Sequence, residues 1–148
     1  MQQLGLCIFF LIFLCASHNS KGQDFDLEKT FNSLLNDSQR TAIKSRIENY
    51  NQQINDDSIN AVLYLNRGVE YSKLGLYPKA IKDYNLCIKY DSLIPEAFYN
   101  RGLANARFRY TKDACKDIRH AYELGLEVAK QTYLKNCGLY FKDLGNIE

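Results

Sequence analysis

Tryptophan is absent from the 148 residues, methionine occurs once, and proline and histidine occur twice each. Two prolines and eight glycines are too few for a linker-rich, collagen-like or disordered chain. Charge of one sign is also lacking. Nineteen Lys and Arg against seventeen Asp and Glu leave a net +2, no electrostatic footprint for nucleic acid or an anionic membrane. Beyond residue 22 the only histidine is His120, and no His, Cys and carboxylate set gathers at ligand spacing, so no metal or cofactor is expected. C-x-x-C, H-E-x-x-H, G-x-S-x-G and a phosphate loop are all missing. No catalytic residue is identified, and the chain is not expected to be an enzyme.

What is present begins with a leader. LGLCIFFLIFLCA (4–16) is an apolar run of 13 residues, shorter than the roughly 20 that span a bilayer. With the small polar stretch behind it, it fits a secretory signal peptide over residues 1–22. The n-region departs from that pattern, since Met1, Gln2 and Gln3 carry no positive charge. Cleavage is expected after Gly22, with Ser20 at the upstream small position, or after Ser17; an uncleaved short anchor is the alternative. Leu14 before Cys15 is too bulky for a lipoprotein signal. The expected location is therefore exported, periplasmic or secreted, with no membrane insertion once the leader is gone. Cys87, Cys115 and Cys137 remain in the mature chain, an odd number for an oxidising compartment.

The rest of the chain repeats itself. AVLYLNRGVEYSKLGLYPKAIKDYNLCIKYDSLI (61–94) and PEAFYNRGLANARFRYTKDACKDIRHAYELGLEV (95–128) align without a gap at a period of 34 residues. Position 4 is Tyr64 and Phe98, positions 6–8 are Asn-Arg-Gly in both, position 20 is Ala80 and Ala114, and position 23 is Asp83 and Asp117. Position 27 is small in both, Cys87 and Ala121. Within the first unit Tyr64, Leu65, Gly68, Tyr71 and Leu74 form a stripe at helical spacing. After Gly75 a second stripe runs through Ala80, Ile81, Tyr84, Cys87 and Ile88. Pro78 and Pro95 fall where a helix begins, a place where a missing N–H is tolerated. Each unit is predicted to be a helical hairpin, with Gly68 and Ala80 as the small residues at the crossing. Arg67 and Arg101 at position 7 are predicted to bridge to Asp83 and Asp117, worth up to about 1 kcal/mol if exposed.

Aromatic-4, Gly-8, Tyr-11, Ala-20, Tyr-24 and Asp-31 in a 34-residue helix–turn–helix resemble the tetratricopeptide repeat. Tyr64, Gly68, Tyr71, Gly75, Tyr77, Ala80, Tyr84 and Asp91 match it. The second unit keeps Phe98, Gly102 and Ala114 and departs at Asn105, Thr111, Ile118 and Leu126. The resemblance implies an all-α fold, a short right-handed solenoid of antiparallel helical hairpins closed by a capping helix. Residues 27–60 are expected to form a degenerate first repeat, or one long helix over about 38–54 with a shorter one before it. Leu34 and Arg46 stand there at positions 8 and 20, where the tight crossing would need small residues. Residues 61–94 and 95–128 are the two clear units, and 127–148 a capping helix and tail. Similar exported bacterial repeat proteins close with an ELG turn and a short helix ending in Cys. In such a hairpin Cys115 and Cys137 are equidistant from a turn at Leu126 and are expected to form a disulfide, two buried thiols being the alternative. Cys87 is expected in the core.

The family's work is protein–protein interaction, so the resemblance implies a protein or peptide partner held in the concave groove. The groove positions are Leu65, Asn66, Val69 and Lys73 in one unit and Tyr99, Asn100, Leu103 and Arg107 in the next. Val62, Ser72, Glu96 and Ala106 complete them. Asn66 and Asn100 fall where the family places an amide that bonds a ligand's backbone; an amide both donates and accepts. They can equally be repeat signature without a ligand. A subset of the family clamps a carboxylate with Lys and Arg at positions 5 and 9, and Leu65, Val69, Tyr99 and Leu103 do not match it. The second reading of function is a structural subunit of a cell-envelope assembly. No feature fixes an oligomeric state.

Overall fold

Helix starts and stops are written locally. The computed structural model describes residues 35–107 and 110–138. The expected leader, residues 27–34 and the tail from 139 onward lie outside the described residues. Helix α1 (Asp37–Asp56) opens on a reciprocal capping box. Asn36 Oδ1 accepts from the Gln39 N–H at 2.8 Å, and Gln39 Oε1 accepts from the Asn36 N–H at 3.1 Å, which satisfies two orphan donors at once. Helix α2 spans Ala61–Lys73 and α3 spans Tyr77–Tyr90, with Pro78 in its first turn. Helix α4 (Pro95–Asn105) starts on a proline, and α5 (Lys112–Glu123) is capped by Thr111, whose hydroxyl accepts from the Ala114 N–H. Helix α6 covers Glu127–Asn136.

Two glycines end helices in the same way. Gly75 (φ 74°) and Gly125 (φ 94°) adopt the left-handed conformation, which costs a side-chain-bearing residue more than glycine. Each lets the following N–H reach back five residues, Leu76 to the Tyr71 carbonyl at 2.9 Å and Leu126 to the Ala121 carbonyl at 3.0 Å. The chain then reverses, α2 packs on α3, and α5 on α6.

Every described helix packs against the next in sequence, and α2 also touches α4. Among the described residues the protein is all helical, a short helical solenoid. Position 8 is a close approach inside each hairpin. A Cβ on Gly68 would lie 2.6 Å from the Tyr84 ring, and one on Gly102 would lie 2.8 Å from Ile118 and 2.9 Å from the Ala114 carbonyl oxygen. The sequence pairs Gly68 with Ala80 at that crossing, but the atoms nearest its missing Cβ are those of Tyr84. Ala80 joins Tyr84 and Ala104 of the next hairpin in one buried cluster. Ala80 thus also faces the next hairpin, while its counterpart Ala114 lies at the crossing of the second hairpin, its carbonyl oxygen against Gly102.

Tyr84 and Ile118 are fully buried, each contributing about 1.5–3 kcal/mol of transfer free energy. Burial pushes the Tyr84 phenol up to about 12, against an opposing hydrogen bond with Ser72 at 3.0 Å. Cys87 is a buried free thiol in the cluster around Tyr64 and Ala97, and burial raises it to about 11. It is core, not a reactive site. Cys115 and Cys137 are joined, their Cα atoms 5.6 Å apart. The bond fastens α6 to α5 inside a cluster with Phe98, Ile118, Ala121, Ala129 and Tyr133. Among the described residues no helix is long and apolar enough to cross a membrane.

Candidate functional site

Helices α2 and α4 are the first helices of the two hairpins, and they carry the positions expected to line the groove. Leu65, Asn66 and Val69 are half-buried on α2, as are Tyr99, Asn100 and Leu103 on α4. The apolar members also join successive hairpins. Leu65 and Val69 pack on the cluster of Ala80, Tyr84 and Ala104, and Tyr99 and Leu103 pack on the cluster that includes Ala129 and Tyr133 of α6. The Tyr99 hydroxyl lies 3.0 Å from that of Thr132, which ties α4 to α6.

The two asparagines differ from their surroundings. Among the described residues neither Asn66 nor Asn100 has a side-chain partner. Each stands beside an arginine that is fully engaged. Arg67 donates from Nε and Nη2 to both Asp83 oxygens at 2.8 Å, and from Nη1 to Asn51 Oδ1 at 2.8 Å. Arg101 repeats this with Asp117 at 2.7–2.8 Å and Asn85 at 2.7 Å. The bond to Asp83 first, against desolvation, raises the Arg67 pKa. The guanidinium planes also lie over Tyr64 and Phe98, 5.6 and 5.5 Å from the ring centres.

This clamp differs from an exposed pair. The Asp83 and Arg67 side chains are only 3% and 17% exposed, and each arginine binds the preceding repeat as well as its own. The missed partners were legible: Asn51 and Asn85 stand at position 25 of successive frames, 34 residues apart. The departures at Leu34 and Arg46 masked that register.

Lys73 and Arg107 lie at the far end of this face and are exposed. Lys73 donates to Glu70 Oε1 at 2.7 Å, while Arg46 of α1 donates to Glu70 Oε2 at 2.9 Å. Burial alone would raise the Glu70 carboxyl, but the bonds from Arg46 and Lys73 outweigh it and hold the pKa below the ordinary value. The Arg107 guanidinium stands 5.5 Å over the Tyr77 ring. Lys73 lies about 10 Å along the helix from Asn66. His120 sets its ring edge-on to Phe98 at 4.4 Å. Among the described residues no three or more metal-ligating groups come together.

No family model matches the chain, and no curated protein matches it in sequence. Solved structures do. One is the first tetratricopeptide domain of Spaghetti (RPAP3) bound to the HSP90 peptide SRMEEVD, with a TM-score of 0.60 and 24% identity over 74% of this chain and 86% of that one. Another is the tetratricopeptide domain of Arabidopsis OM64, with a TM-score of 0.58 and 23% identity over 73% of this chain and 91% of that one. At these identities the likeness is one of fold. Helical hairpins in 34-residue register, crossing at a glycine and followed by α6 packed on α5, give this chain the tetratricopeptide-repeat fold.

Proposed function

We propose that the chain is a non-enzymatic interaction module that holds an extended peptide or protein segment along the face of α2 and α4. The observation that carries this reading is the pair Asn66 and Asn100. They recur at one register, half-buried, and lack a side-chain partner among the described residues, while both neighbouring arginines are engaged. An unpaired amide suits the unpaired backbone groups of an extended segment. Leu65, Val69, Tyr99 and Leu103 supply an apolar floor. The fold neighbour that holds a peptide supports a partner of that kind. Apolar side chains at positions 5 and 9 favour a segment recognised by backbone and apolar contacts over one recognised by a terminal carboxylate. The Cys115–Cys137 bond supports an oxidising, exported location.

The test is affinity selection of peptides on the intact chain, followed by titration of the selected peptide against Asn66→Ala/Asn100→Ala. Losing two amide contacts is expected to weaken binding about tenfold to thirtyfold. Unchanged affinity in the double variant contradicts the groove as the site.

A further inference from the structure

Six large apolar side chains are exposed among the described residues, and five of them, Ile59, Val62, Tyr90, Leu93 and Val128, gather on one edge of the solenoid. On this edge α1, α3 and α5 end and α2, α4 and α6 begin. Ile59 and Leu93 each immediately precede an N-cap residue, Asn60 or Ile94, and are 70% and 74% exposed. They stand 34 residues apart in sequence, so the device recurs with the repeat.

Charge on this edge is mostly negative. Asp56, Asp57, Glu96 and Glu127 are all exposed there. The cations nearby, among the described residues, are Lys89 and the half-buried Lys130, each set over a tyrosine ring, and Arg119, half-buried and paired with Glu123. The opposite edge, where α2 and α6 end, α4 turns toward α5, and α1, α3 and α5 begin, carries Lys73, Lys79, Arg107, Lys112, Lys116 and Lys135 against exposed Asp37 and Asp113. A chain of nearly balanced charge thus has an excess of carboxylates on one edge and of cations on the other.

We propose that the edge bearing Ile59 and Leu93 is a docking surface for a basic amphipathic helix of another protein. Its apolar residues at i and i+7 meet Ile59 and Leu93, and its lysines or arginines meet the flanking carboxylates. Helices in contact stand about 8–10 Å apart, and two helical turns rise about 10.5 Å, so one apolar residue per heptad keeps step with one aliphatic per repeat. A second copy of this chain offers half-buried Tyr77 and Tyr110 on its basic edge, a poor match for protruding aliphatics. The carboxylates repel an anionic membrane. Val62 and Glu96 on this edge are also groove positions, but Ile59 and Leu93 lie on turns outside them, so substitutions at Ile59 and Leu93 separate this surface from the groove.

The probe is a labelled synthetic helix of about 18 residues, leucine at heptad spacing and lysine on the flanks, titrated against the full chain by fluorescence anisotropy. A second peptide carries glutamate for lysine. The lysine peptide is expected to bind saturably and more weakly as salt rises. Ile59→Ser/Leu93→Ser is expected to lose at least about tenfold with its helical circular dichroism unchanged, and Asn66→Ala/Asn100→Ala to bind as the parent chain does. No saturable binding of the lysine peptide overturns the proposal. Equal binding of the glutamate peptide, or undiminished affinity in Ile59→Ser/Leu93→Ser, overturns it too. So does a parent dimer that this variant makes monomeric, or binding to neutral phosphatidylcholine vesicles that it abolishes.

Discussion

The junction between α1 and α2 and the junction between α3 and α4 occupy the same place in successive repeats, yet they close differently. Inside the solenoid, Ala80 at position 20 and Ala104 at position 10 are buried with Tyr84. At the first junction those positions are Arg46 and Glu70, paired at 2.9 Å with Lys73 on the other carboxylate oxygen. Arg46 is 47% exposed and Glu70 7%, so one partner reaches in from solvent to a buried acid. Both junctions keep the same arginine clamp, Arg67 to Asp83 and Asn51, Arg101 to Asp117 and Asn85. The position-20 contact can therefore change chemistry while the position-7 contact holds register. The clamp defines the spacing of repeats, and the alanine contact only tightens it.

That comparison is broken most severely at the clamp. Arg67→Ala leaves Asp83 buried without its cation and is expected to cost about 3–4 kcal/mol, seen as a large fall in denaturation midpoint. Arg101→Ala is expected to cost less, because Asp117 is 15% exposed against 3% for Asp83 and water takes up part of the loss. Equal losses at the two sites would contradict the difference in burial. Next comes the far end of the solenoid. Cys137→Ser opens a loop whose cysteines are 22 residues apart and is expected to cost about 3 kcal/mol in the chain-entropy model. In the chain with this disulfide intact, the buried Cys87 thiol should resist alkylation until the protein is unfolded.

A smaller effect sharpens the contrast between hairpins. Gly102→Ala and Gly68→Ala should both destabilise, by about 1–3 kcal/mol, with Gly102 the worse. Its Cβ would meet the Ala114 backbone oxygen, which cannot rotate away, whereas Gly68 meets a tyrosine ring. The smallest expected effect is the pH response of the first junction. The lowered Glu70 pKa means that its contribution is present above the ordinary carboxylate range and disappears as pH falls through the folded value. Thermal midpoints of the parent and of Glu70→Gln should therefore converge toward acid pH. A constant gap across that range would place the origin of the effect elsewhere.

Much of the fold is legible in the sequence because it is written redundantly. Gly68 and Gly102, and Asp83 and Asp117, fall in one 34-residue register, and Pro78 and Pro95 each mark a helix start, in agreement with local capping and turn chemistry. The pairing of Cys115 with Cys137 follows from the hairpin once the turn at Gly125 is located. Contacts that occur once are not legible. Glu70 stands where the other repeat has Ala104, and nothing in its neighbourhood indicates that Arg46, 24 residues earlier, will reach it. The groove positions can be read only through the family resemblance, since Asn66 and Asn100 are ordinary polar residues on amphipathic helices. What the sequence cannot express is which amides lack a partner. That depends on which side chains the packing brings within reach of each amide.

The central claim is that the face carrying Asn66 and Asn100 is the one used. Its most direct measurement is the chemical-shift map of the isotope-labelled chain titrated with a selected peptide. The account predicts that the side-chain amides of Asn66 and Asn100 shift most, together with the methyls of Leu65, Val69 and Leu103. Shifts confined to the second helices α3 and α5, with both asparagine amides unmoved at saturation, would contradict it.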